Sequence, residues 1–108
     1  MTHYYDLYGF VQDDLEQVRT ELEATLGINF APHDSMYRGG LYYRYDQSRS
    51  ESLELQNNYN PEEEAHTEEQ FSEYPVLLYV NEPSDPFEIE RKLLRDLPSI
   101  RLLRRKIL

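Results

Sequence analysis

The chain has 108 residues, no cysteine and a formal net charge of −10 at pH 7. That length suits one domain with a single core, and without thiols neither a disulfide framework nor a thiolate metal site is available. Residues 1–90 hold 20 of the 21 acids and only four basic residues, a net of −16, while residues 91–108 carry a net of +6; an acidic body of this kind argues against nucleic acid as a partner, because such binders neutralise phosphates with Lys and Arg.

The N-terminal MTHYYDLYGF has no basic leader, and no apolar run reaches membrane-spanning length, so a cytoplasmic protein without a membrane partner is expected. Residues 3–10 read as an aromatic-rich strand. Asp13 as N-cap, with Glu16 as its capping-box partner, predicts a helix over about 13–26. Leu15, Val18, Leu22 and Leu26 share one face of it, and Gly27 suits its end. Residues 28–31 predict a short strand closed by Pro32, and HDSMYRGG at 33–40 is turn chemistry, with Gly39 and Gly40 as a turn or bulge. LYYRYD at 41–46 alternates Leu41, Tyr43 and Tyr45 with Tyr42, Arg44 and Asp46. SLELQNNY repeats the alternation through Leu53, Leu55 and Tyr59, so the two runs predict a hairpin across a polar loop.

Residues 60–75, NPEEEAHTEEQFSEYP, contain six glutamates, no Lys or Arg, and a proline near each end, the pattern of an exposed acidic loop or an irregular insertion. VLLYV at 76–80 is apolar on both faces, as a central strand is. Asp85, Pro86 and Glu88 start a second helix whose buried stripe is Ile89, Leu93, Leu94 and Leu97, and Pro98 ends it. SIRLLRRKIL at 99–108 predicts a final strand, with further helix as the alternative. The order is therefore β-α-β-β-β-β-α-β, one α+β domain over 1–108 made of two split βαβ units around a hairpin. Its antiparallel-rich sheet has about six strands, with two helices packed on one face.

No residue pattern points to catalysis. His33, Asp34 and Ser35 are contiguous and lack a nucleophile-elbow context, so they read as turn formers rather than a triad. His33, His66 and the glutamates have no metal-ligand spacing, and neither a metal nor a cofactor is expected. Among 21 acids a carboxylate pair is easy to find and carries no information. The expected role of the basic tail is structural, relieving repulsion within the acidic body. Of the ten tyrosines, Tyr37, Tyr42 and Tyr59 are the candidates for an exposed protein interface. Their acidic companions are Glu62, Glu63, Glu64, Glu68 and Glu69 of the acidic segment, with Asp34 and Asp46 flanking the Tyr-rich strand.

Two readings of function follow. RGGLYYRY at 38–45 partly matches the aromatic strand signature of an RRM: Arg38, Gly39, Tyr42 and Tyr45 fit, whereas Gly40, Leu41 and Tyr43 do not. An RRM-like nucleic-acid module is therefore the alternative. In size, charge and element order, and in the segments HDSMYRGGLYYRY, LQNNYN and VLLYVNE, the chain resembles the small immunity proteins of bacterial contact-dependent inhibition and related polymorphic toxin systems. The resemblance implies a non-enzymatic cytoplasmic inhibitor of one cognate toxin C-terminal domain. A basic nuclease would be neutralised by occupying or covering its substrate site.

Overall fold

The computed structural model describes residues 2–38 and 40–108; Gly39, half of the predicted glycine turn, lies outside them. Strand β1 (Tyr4–Phe10) leads into helix α1 (Leu15–Leu26). Asp14, one residue later than predicted, is the N-cap, its carboxylate accepting from the Gln17 N–H at 3.1 Å. Glu16 is thereby free of a capping role; it pairs with Arg19 at 2.9 Å and accepts the Tyr43 hydroxyl from the sheet below. Gly27 ends the helix at φ 67°, the left-handed conformation that disfavours a Cβ.

Strand β2 (Ala31–Ser35) corrects the prediction of a strand at 28–31 followed by a turn: it contains both Pro32 and the His33-Asp34-Ser35 run. An edge position explains this, since a strand bonded on one side holds a proline whose missing N–H points outward. A 3₁₀ turn (Met36–Arg38) precedes β3 (Gly40–Asp46), which pairs with β4 (Ser52–Asn57) in the predicted hairpin. The acidic stretch is not one irregular loop. It forms a small hairpin of β5 (Tyr59–Asn60) and β6 (Ala65–His66) and a second 3₁₀ turn (Glu69–Phe71). Then come β7 (Val76–Asn81), α2 (Pro86–Asp96) and β8 (Ile100–Ile107), so the tail is strand. Asp85 caps α2 as expected, accepting from the Glu88 N–H at 3.0 Å. Leu94 is exposed, so it leaves the predicted buried stripe while Leu93 and Leu97 remain in it.

The main sheet has six strands in the order β2-β3-β4-β7-β1-β8, with every neighbouring pair antiparallel. Strands β7 and β8 run the same way on either side of β1, and β1 and β2 run the same way with three strands between them. Both helical crossovers are thus split, and the fold is α+β. Register aligns Tyr8, Leu78, Leu55 and Tyr43 in one row, with Phe10 and Val76 beside it and Val80 and Leu53 on the other side. All of them face the helices and share one cluster with Leu15, Val18 and Leu22 of α1 and Leu93 of α2. At about 1.5–3 kcal/mol for each large apolar side chain fully buried, this cluster is the main driving force for folding.

The opposite face is partly closed. Leu7, Leu77, Glu54 and Gln56 point away from the helices, yet all are buried. Residues 58–75 form a cover over part of this face and Arg38 and Arg44 pair with Glu54, while Tyr5, Tyr79 and Asn81 stay half-buried beside open depressions. Gly9 shows how close that cover lies, since a Cβ placed there would stand 2.7 Å from both the Tyr74 ring and Leu103 Cδ1.

Candidate protein-binding surface

Asn58 fixes the cover. It is completely buried, and its Nδ2 donates to the carbonyls of Phe71 and Tyr74, each at 3.0 Å, while its Oδ1 accepts the Glu68 N–H at 2.9 Å. Its backbone adds two bonds: its N–H to Pro75 O at 2.8 Å, and its carbonyl from the Thr67 N–H at 2.7 Å. One amide side chain thus satisfies backbone groups that an irregular segment would otherwise bury unpaired. Glu68 locks the same segment to the sheet. It accepts from Arg104 at 3.0 and 3.3 Å and from the Tyr79 hydroxyl at 2.6 Å. Burial raises the Tyr79 hydroxyl pKa well above the usual tyrosine range, and the hydrogen bond to Glu68 adds to this.

The second hairpin sets the position of the first 3₁₀ turn. Asn60 is buried, and its Nδ2 donates to the Met36 carbonyl at 3.1 Å, while its Oδ1 accepts the Glu62 N–H at 3.0 Å. The turn and β5 are therefore adjacent, and their side chains point outward: Tyr37 is 80% exposed, Met36 63% and Tyr59 48%. Tyr59 is braced edge-on against His66, with ring centroids 5.4 Å apart. Beside the turn a depression of about 430 Å³ is lined by Asp34, Ser35, Met36, Gly40, Pro61 and Glu62. Met36, Tyr37 and Tyr59 thus form an exposed patch across two adjacent elements tied by the buried Asn60, with Asp34 and Glu62 beside Met36.

Behind Tyr37, the Arg38 guanidinium lies 4.7 Å from the centre of the Tyr42 ring, and His33 stacks on that ring at 5.3 Å. Arg38 and Arg44 both pair with the buried carboxylate of Glu54. Tyr42 is consequently half-buried and supports the turn.

Of the candidate residues, Asp34 and Glu62 share a depression with Met36, Tyr37 borders another with Arg38, Thr67 and Tyr79, Tyr59 is exposed on β5, and Glu63 and Glu64 are exposed in the turn that joins β5 to β6. Glu69 is exposed further along, sharing a second depression with Glu63 and His66. Two candidates stand apart. Asp46 is at the far end of β3, bound to Arg44 at 2.9 Å, and Glu68 is turned inward onto the sheet. Sequence reasoning missed Met36, Asn58 and Asn60. Met36 carried a faint signal, being a large apolar residue in a stretch of turn formers; the two asparagines carried none.

Two arginines of the basic tail turn onto the acidic body. Arg104 holds Glu68, and Arg105 bridges Asp6 of β1 at 2.8 Å and Glu90 of α2 at 3.1 Å. The Asp6 hydrogen bond raises the Arg105 pKa further. The partial RRM signature divides between faces: Tyr43 and Tyr45 lie against the helices and only Tyr42 lies on the other side. Among the described residues no cluster of metal-ligating side chains is found, and no helix is long and apolar enough to cross a membrane. No protein-family model, curated protein or solved structure matches the chain.

Proposed function

We propose that this chain is an immunity protein: a non-enzymatic cytoplasmic inhibitor that binds one cognate toxin domain, a basic nuclease, and covers its substrate site. The observation that carries this reading is the exposure of Met36, Tyr37 and Tyr59 on adjacent elements tied by the buried Asn60, with Asp34 and Glu62 beside Met36 and Glu63 and Glu64 exposed in the neighbouring turn. Rigid aromatic anchors surrounded by charge are the composition of an interaction hot spot. The carboxylates speed encounter with a positively charged cleft, and the desolvated tyrosines hold the complex. The nucleic-acid alternative needs an open, basic aromatic sheet face, whereas here residues 58–75, with six glutamates and no Lys or Arg, cover part of that face; this favours protein binding over RNA.

The test is to search the genes next to this chain's own for one that encodes a toxin domain and to co-express the two. The wild-type chain is expected to restore growth, and the Tyr37→Ala Tyr59→Ala variant, folded to the same extent, to lose that protection. Failure of the wild-type chain to bind or protect against the domain would contradict the proposal.

A further inference from the structure

The edge of the sheet next to this patch has unused backbone groups. Among the described residues β2 pairs only with β3, and its residues 31–34 are exposed. Because Pro32 has no N–H, it belongs at a position facing away from β3. By the two-residue period of a strand Asp34 faces outward as well, leaving its N–H and carbonyl, and the Pro32 carbonyl, without a partner strand. Two residues further on begins the turn that carries Met36 and Tyr37.

Resting on the reading of this chain as a toxin-binding protein, we infer that the partner adds an extended, basic segment to the outer edge of β2, antiparallel or parallel, with its side chains running onto Tyr37. Charge selects this edge. Asp34 lies on it and Glu62 beside it, whereas the opposite edge, β8, presents exposed Arg101 and Lys106 and would repel the same segment. Pro32 confines the pairing to the half of β2 nearest the patch, so the bonds are few, and the aromatic anchors next to them give the complex its register.

A decapeptide of alternating lysine and valine is the probe, with one of alternating glutamate and valine as control. On titration, the backbone amide resonances of residues 33–38 should shift saturably, and hydrogen exchange at Asp34 should slow. Asp34→Asn, which keeps the N–H, should bind within a few-fold of wild type, and Asp34→Pro should bind weaker by about tenfold or more. If Asp34→Pro does not fold, exchange protection at the wild-type Asp34 amide decides alone. Undiminished binding by folded Asp34→Pro, equal binding of the acidic peptide, shifts confined to β8, or no binding of the basic peptide would each overturn strand addition. The growth test with Tyr37 and Tyr59 variants is independent of all four, so immunity function can stand when strand addition falls.

Discussion

Glu68 and Arg104, 36 residues apart in sequence, meet in a two-pronged ion pair that fastens the acidic segment to β8. Partial burial works against the charge on Glu68, but the hydrogen bonds from Arg104 and Tyr79 outweigh it and hold the carboxyl below its ordinary pKa. A carboxyl lowered in the folded state adds stability that is fully present above its unfolded pKa, about 4.3, and is lost as pH falls through the lower folded value. Urea unfolding from pH 7 to 3 should show wild-type stability declining below about pH 5, and Glu68→Gln should start less stable and decline less. Parallel acid limbs would show that the pair contributes nothing.

Asn58→Ala tests the amide hub. It strips partners from the carbonyls of Phe71 and Tyr74 and from the Glu68 N–H, at a cost of roughly 2–3 kcal/mol because these groups are left buried. Limited proteolysis should then cut within 60–75 while the β1–β7 amides stay protected from exchange. Protection of 60–75 equal to wild type would mean that Glu68 and the aromatic side chains suffice to hold the cover.

Gly9→Ala puts a methyl group into the contact between the sheet and the cover. With the Tyr74 ring and Leu103 both 2.7 Å from that methyl, both must give way or the strand must shift. The expected loss is about 1–3 kcal/mol, read from the denaturation midpoint. A neutral result would show that the cover shifts freely.

How much of this was legible in the sequence depends on the range of the forces involved. The helices followed from local periodicity and capping, and β7 from its unbroken apolar run VLLYV. β2 was misread because Pro32 and Asp34 have turn propensity, and only the edge position, a property of the whole sheet, allows them in a strand. The exposure of the acidic segment was legible in its six glutamates, but its attachment was not, because the residues that pin it, Asn58, Arg104 and Tyr79, lie outside it. The patch was half visible. Tyr37, Tyr59 and Glu62 were identifiable as residue types, but their convergence depends on the Asn60 bond to Met36.

Charge and anchoring should separate kinetically. Replacing the exposed Glu62, Glu63, Glu64 and Glu69 with Gln, and leaving the internal Glu68 in place, should slow association with the toxin domain and flatten its salt dependence without changing the fold. Stopped-flow mixing at two ionic strengths measures both. Wild-type association at low salt would reduce these glutamates to solubilising charge.

The most direct measurement is the dissociation rate of the complex with the toxin domain that the proposed function requires, for wild type and for Tyr37→Ala Tyr59→Ala. Both rings project from the patch and make little contact with the core, so the variant should keep the wild-type melting temperature. If they are the anchors, dissociation should accelerate by about thirtyfold or more, corresponding to the roughly 2 kcal/mol of a hot spot. A folded variant that dissociates at the wild-type rate would contradict the assignment of this patch as the inhibitory surface.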